Sequence, residues 1–277
     1  MIVVTGVTGN VGRALAGRLL AAGAPVRALA RDPRRVTLPE RAEVVRFDPD
    51  EPAALFAGAT KLFLYTHAGS PALLKAAHEH GVRHVVMLSS GIIQEGADET
   101  HPIHVMHAEV ERQVRASGLA WTFLRPNAFA TNALQWAPQI RAGETAVRGV
   151  FAGGLGAPIH EDDIAAVAER ALLDDGHEGA AHRLTGPAAT TNAEQVAAIG
   201  QAVGRELTFV EVPAKEAGPE LFPDLPPAMR DRLLQTFEAT VGVPPEITDT
   251  VEKITGAPAR TFARWARDHA EDFRPRS

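Results

Sequence analysis

The 277-residue chain contains no cysteine, which excludes disulfides, thiolate catalysis and thiolate metal sites together. Aromatic residues make up only 5% of it, and Tyr65 is the single tyrosine. No apolar run approaches the ~20 residues that span a bilayer. Positive charge is not in excess: 28 Lys and Arg stand against 34 Asp and Glu, a net charge of −6, with the two signs interspersed. Nothing in that distribution offers a basic face to nucleic acid or to a membrane surface. Internal repeats and low-complexity tracts are lacking too. Met1 leads straight into an apolar run, so no room is left for a secretion signal. The expectation is a cytoplasmic protein with small-molecule partners, no nucleic acid and no membrane, and an oligomeric state the sequence leaves open.

What the chain has is a glycine turn at its very start. Ile2-Val3-Val4 reads as a strand, and Thr5-Gly6-Val7-Thr8-Gly9-Asn10-Val11-Gly12 follows it directly. Gly6 lets the chain leave the strand with dihedrals denied to other residues. Gly9 removes a side chain where a phosphate must approach the backbone, and Gly12 lets the helix pack closely on the strand. Free N–H groups of the first helical turn, including those of Asn10, Val11 and Gly12, then face an anion, with help from the helix dipole. The helix ends near Gly23-Ala24-Pro25. Strand, glycine turn and helix in that order meet the conditions for a dinucleotide pyrophosphate site. The spacing is G-x-x-G-x-x-G, and the expected ligand is a nicotinamide cofactor held by Gly6, Thr8, Gly9, Asn10, Val11 and Gly12.

The end of the second strand, Val26 to Ala30, tells cofactors apart. An acid there accepts from the ribose hydroxyl of NAD, whereas an arginine receives the 2′-phosphate of NADP. Arg31 occupies that place, with Arg34 and Arg35 close behind, and a guanidinium fork suits a phosphate. NADP(H) is therefore preferred, while Asp32 keeps NAD(H) open.

Further β-rich runs at Val44–Phe47, Lys61–Tyr65, Val82–Leu88 and Ala120–Leu124 alternate with helical spacing. Such alternation implies an α/β fold, a Rossmann-type doubly wound parallel sheet with ligands at the carboxyl ends of its strands. Asp48, Thr66, His67, Ser89 and Ser90 follow strands on that side. Asp48 suits an adenine amino group, and Thr66 the pyrophosphate or ribose. From about Ala189 the texture changes: Asn192–Val203 reads as a helix, Leu207–Val212 as a strand, Leu221–Pro227 as a proline-rich loop and Arg260–Asp272 as a docking helix. The organisation expected is a dinucleotide-binding domain over 1–188, part of the substrate pocket coming from 127–150, and a small, mostly helical C-terminal cap over 189–277.

The glycine turn, Ala28-Leu29-Ala30-Arg31-Asp32-Pro33, Leu88-Ser89-Ser90, Glu111, Ser117-Gly118-Leu119, Thr122-Phe123-Leu124-Arg125-Pro126-Asn127, His160-Glu161-Asp162-Asp163-Ile164-Ala165 and Leu184-Thr185-Gly186-Pro187 together resemble the NmrA-like group of atypical short-chain dehydrogenases/reductases. The likeness covers nearly the whole chain. The group includes quinone reductases, triphenylmethane dye reductases, ketoreductases and redox sensors that do not turn the cofactor over. Ordinary short-chain dehydrogenases use a Tyr-x-x-x-Lys pair on one helix. The matching positions here hold Ile103 and His107, and both members of the pair are lacking.

His104, His107 and Glu111 lie at i, i+3 and i+7, on one face of the helix expected from Pro102 to before Gly118. His107 suits the nicotinamide ribose, and either histidine, with an unperturbed pKa near ~6.5, is a candidate proton donor. Such an acid supplies roughly 10² to 10⁴ in rate. It is least needed when the acceptor is a quinone, whose oxyanion is a stabilised phenolate. Ser89 is expected at the cofactor and Ser90 at the reacting carbonyl, and no metal is expected. By analogy with the group the pocket lies between strand ends and cap, with Asn127, Phe129, Trp136 and Phe222 as its wall. Two readings stay open: an NADPH-dependent reductase of a quinone or conjugated aromatic ketone, and a non-catalytic NADP(H) redox sensor.

Overall fold

A computed structural model of the chain describes residues 1–221 and 226–275. In chain order it contains β1 (Ile2–Val4), α1 (Asn10–Ala21), β2 (Val26–Ala30), β3 (Glu43–Arg46), α2 (Pro52–Phe56), β4 (Lys61–Tyr65), α3 (Pro71–Glu79), β5 (His84–Leu88), α4 (Pro102–Ala116) and β6 (Ala120–Pro126). Next come α5 (Ala137–Arg141), β7 (Ala146–Gly149), β8 (Leu155–Gly156), α6 (Glu161–Leu173), β9 (Ala180–Leu184), β10 (Thr190–Thr191) and α7 (Asn192–Val203). The chain closes with β11 (Thr208–Glu211), α8 (Ala214–Leu221), α9 (Pro227–Glu238), α10 (Thr250–Thr255) and α11 (Phe262–Asp268).

Seven strands form one sheet in the order β3-β2-β1-β4-β5-β6-β9, and every pairing in it is parallel. Parallel strands need crossovers, and helices on the faces leave the central strands buried on both sides. Accordingly β1, β2 and β5 are buried at every residue. The Rossmann-type, doubly wound arrangement expected from the alternation is what the chain adopts. Its order reverses between β1 and β4, and in open parallel sheets ligands bind outside the strand ends at such a switch point.

By contact clustering the chain divides into two units. The first comprises Met1–Asn127, Glu161–Leu184 and Thr250–Pro258; the second comprises Ala128–His160, Thr185–Asp249 and Ala259–Ser277. A single cut at 188/189 does not describe this division, because the chain crosses between units several times. The first unit holds the large sheet and a core of Val3, Leu62, Leu64, Val85, Met87 and Phe123 among others. The second has its own core, in which Trp136, Ile140, Val147, Ile199, Trp265 and Phe273 pack together. It also carries two two-stranded sheets, β10 with β8 and β11 with β7.

Trp136, expected at the pocket wall, lies in that core. It is 4% exposed within that core, its ring set edge-on to Phe209 at 6.1 Å. A large apolar ring gains more from such burial than from an open surface. Phe222 lies outside the described residues. Among the described residues no helix is long and apolar enough to cross a membrane.

Candidate active site

The glycine turn is shaped by the clashes it avoids. Gly6 has φ +69°, a left-handed conformation, and a Cβ on it would stand 3.0 Å from Cβ of Tyr65. A Cβ on Gly12 would lie 2.3 Å from the Gly6 carbonyl oxygen, a distance no side chain tolerates. Gly9 is the N-cap of α1, extended at φ −90°, and supplies no side-chain cap. The cap position thus leaves the first-turn N–H groups to be satisfied by something else. Thr8 and Gly9 are exposed beside them. Val11 is buried at 7% and contributes its backbone alone. These features suit a pyrophosphate: closely approachable backbone, unpartnered donors and a positive helix end.

Thr5 steadies the turn. Its hydroxyl donates to the Phe63 carbonyl at 3.1 Å and accepts from the Tyr65 N–H at 2.7 Å, joining β1 to β4 at the switch point. Thr5 opens the glycine motif, and this bridging role is visible only in the folded chain.

At the end of β2 the basic residues divide. Asp32 caps a short 3₁₀ turn, Pro33–Arg35, accepting from the Arg34 N–H, and it binds the Arg34 guanidinium through both oxygens at 2.9 and 3.1 Å. That guanidinium holds the Asp32 carboxyl below its ordinary pKa. Asp32 is thus engaged by its own turn. Arg31 is exposed and has no ion-pair or hydrogen-bond partner among the described residues. Asp48, beyond β3, accepts from the Asp50 N–H at 3.1 Å, closing a turn of its own.

Helix α4 brings the polar cluster together. It starts at Pro102 because His101 caps it, Nδ1 accepting from the Ile103 N–H at 3.2 Å, so His101 is committed to the backbone. His104, Val110, Glu111 and Val114 form the buried face. Glu111, 1% exposed, accepts from both Arg125 nitrogens at 2.9 and 2.6 Å and from the Ser89 hydroxyl at 2.7 Å, with Arg115 at 3.3 Å. The cluster ties the ends of β5 and β6 to α4. A bidentate guanidinium is the arrangement that makes a buried carboxylate tolerable. Ser89 is thereby spent as a donor on Glu111. Ser90, expected at the reacting carbonyl, has its oxygen accepting from the Ile92 N–H at 3.3 Å.

Thr66, 2% exposed, donates its hydroxyl to the Leu88 carbonyl at 2.5 Å, and the same oxygen lies 3.1 Å from Nδ1 of His107. His67, exposed, stacks on Tyr65 at 5.1 Å. Burial first, and then the nearby His67, push the His107 pKa down to about 4, against an upward pull from Glu111. At neutral pH His107 is therefore an uncharged imidazole, a weaker proton donor than the imidazolium. His104 shares the buried face, 9% exposed. Ile103, at the tyrosine position, is 47% exposed.

Asn127 packs against the β5 loop, its amide oxygen 1.8 Å from where a Cβ on Gly91 would stand, so only glycine admits it there. Phe129 is half-buried and bridges Ile159 in the second unit. Two functional candidates escaped the sequence reading, Arg125 and Thr5. Arg125 had a usable signal: an arginine near a strand end, with an acid 14 positions earlier on the preceding helix.

Comparison with known proteins gives the chain a family. Residues 6–175 match the model of a family described as NAD(P)H-binding. The chain is 40% identical over 284 residues to (4-alkanoyl-5-oxo-2,5-dihydrofuran-3-yl)methyl phosphate reductase of Streptomyces griseus, covering 99% of this chain and all of that one. It is 36% identical to NAD(P)H azoreductase of Xenophilus azovorans, with 99% of each chain covered. The structure of an NADPH-dependent quinone oxidoreductase from Escherichia coli superposes with a TM-score of 0.78 at 24% identity, over 97% of this chain and 99% of that one. With its glycine turn, its parallel sheet and these matches, the chain belongs to the family described as NAD(P)H-binding.

Proposed function

We propose that the protein is an NADPH-dependent reductase that passes hydride to a quinone or conjugated ketone. The observation that carries this reading is a glycine turn shaped for the cofactor beside a helix that lacks the acid of the usual tyrosine position. The glycine turn fits a pyrophosphate, while the tyrosine position holds exposed Ile103 and His107 is uncharged at neutral pH. When bound, the nicotinamide supplies the hydride. The chain's part is to hold it and to orient the acceptor, which accounts for most of the acceleration in such reactions. An acceptor that becomes a stabilised oxyanion, such as a quinone, needs little help from an acid.

Gly6, Gly9 and the first turn of α1 hold the pyrophosphate in this reading, and Arg31 takes the 2′-phosphate. Asp48, Thr66, His67, Ser89 and His107 border the adenosine and ribose path, and Asn127 and Phe129 remain candidates for the acceptor. The relatives named as reductases act on an alkanoyl-dihydrofuranone phosphate and on azo compounds, electron-poor conjugated systems like the quinones. That favours the enzyme over the redox sensor.

The test is NADPH oxidation by the purified protein against quinones, azo dyes and conjugated ketones, with NADH in parallel and Arg31→Ala beside the wild type. Turnover with one acceptor class is expected. Arg31→Ala should weaken NADPH by roughly tenfold or more, from one charge-assisted contact, with little change for NADH. Tight NADPH binding with no turnover across the panel would establish the sensor instead.

A further inference from the structure

Proton counting at Thr66 decides which nitrogen of His107 is free. A threonine hydroxyl has one hydrogen to give. The Leu88 carbonyl, 2.5 Å away, can only accept, so the hydrogen lies there. The 3.1 Å contact between the Thr66 oxygen and His107 Nδ1 is then a bond in which Nδ1–H donates. In a neutral imidazole one nitrogen carries the proton and the other a lone pair. Nε2 of His107 is the bare one.

We propose that Thr66 is a positioning residue that locks His107 in its Nδ1–H form, so that Nε2 accepts a hydrogen bond from a ribose hydroxyl of the bound cofactor. The proposal rests on the reading that NADP(H) occupies the glycine turn. It gives His107 a polarity opposite to that of the lysine found at this position in ordinary short-chain dehydrogenases. A lysine ammonium can only donate, whereas Nε2 of the locked imidazole can only accept. A hydroxyl serves either, because it donates as readily as it accepts. A carbonyl oxygen does not, so His107 grips the sugar and leaves the carbonyl of the acceptor unbonded. Burial and then His67 disfavour a positive charge on the ring and outweigh the opposite pull of Glu111, which is itself held by Arg125, Arg115 and Ser89, while Thr66 touches the ring directly.

The experiment is ¹⁵N-edited NMR of the full chain at about neutral pH, where His107 is uncharged, followed by NADPH titration of the same samples. The wild type should show a protonated Nδ1 and a bare Nε2, and NADPH should shift the Nε2 resonance as a hydroxyl bonds to it. Thr66→Ser keeps the hydroxyl and should preserve both the tautomer and the affinity. Thr66→Val removes the acceptor for Nδ1–H, so the ring should redistribute toward Nε2–H and NADPH should bind about tenfold more weakly. An Nε2–H ring in the wild type, or an unchanged tautomer in Thr66→Val, overturns the proposal. If Thr66→Val does not fold, the wild-type tautomer and its response to NADPH still decide the matter. A wild-type chain that fails to bind NADPH would overturn the cofactor reading and the ribose partner with it. A wrong tautomer in a chain that binds NADPH would overturn this proposal alone.

Discussion

The turn at Gly6–Gly12 and the polar cluster on α4 belong to the same unit and are built from opposite materials. The turn works by absence. It has no Cβ at 6, 9 or 12, and its N-cap has no side-chain acceptor to occupy the first-turn N–H groups of α1. The α4 cluster works by saturation. Glu111 is buried and receives two nitrogens of Arg125 and the hydroxyl of Ser89. Open donors invite a ligand, and satisfied ones make a frame for it. The difference teaches that binding and framing can be told apart by asking which polar groups already have partners.

That contrast is broken most severely by Glu111→Gln. Removing one partner of a buried ion pair leaves Arg125 uncompensated, and losses of about 3 kcal/mol are usual. Urea unfolding should show a loss of that order, with cofactor affinity falling only as far as the frame loosens. A variant as stable as the wild type would mean that a neutral amide and water satisfy Arg125, and that the frame does not rest on the charge of Glu111.

Gly12→Ala breaks the other side. Its Cβ would meet the Gly6 carbonyl carbon at 2.6 Å and the oxygen at 2.3 Å, so either the helix start or the turn must move. Overpacking of this kind costs roughly 1–3 kcal/mol. The loss of NADPH affinity should exceed what the drop in thermal midpoint alone would suggest, because the displaced atoms are those that face the phosphates. Equal damage to both variants' affinity and stability would erase the distinction between binder and frame.

Acid sharpens the comparison more gently. Burial lowers the pKa of His84, His107 and His182, that of His107 to about 4. In the unfolded chain each titrates near ~6.5, so below that value the unfolded state binds more protons than the folded one. The stability these neutral rings contribute is complete above ~6.5 and is lost as pH falls toward their folded values. Denaturation midpoints should decline from about pH 7 to about pH 5, with the glycine turn, which has nothing to titrate, taking no part. A flat profile over that window would contradict the burial of these three rings.

The polar contacts mark the boundary of what could be read beforehand. The strands β1 to β6 and β11, the helix over Asn192–Val203 and the glycine turn were legible because each rests on local pattern: apolar runs, helical periodicity and glycines whose dihedrals or close contacts admit no side chain; β7 to β10, β9 of the large sheet among them, were not. His104, His107 and Glu111 were placed on one helix face by spacing alone. Their chemistry was not, since it depends on groups far along the chain: Thr66 and His67 for His107, Arg125 for Glu111. Trp136 shows the same limit, because an aromatic beside a pocket and an aromatic in a core look alike until their neighbours are known.

By itself, then, the sequence determined a doubly wound parallel sheet, a dinucleotide turn at the carboxyl end of β1 and an arginine at the end of β2. These follow from backbone geometry and from side chains adjacent in the chain. Only the tertiary structure decided that Asp32 is committed to Arg34 while Arg31 is not, that Ser89 serves Glu111, and that His107 is neutral. The physical reason is that charge state and hydrogen-bond polarity are set by burial and by partners that folding brings together. Neither is a property of the residue type.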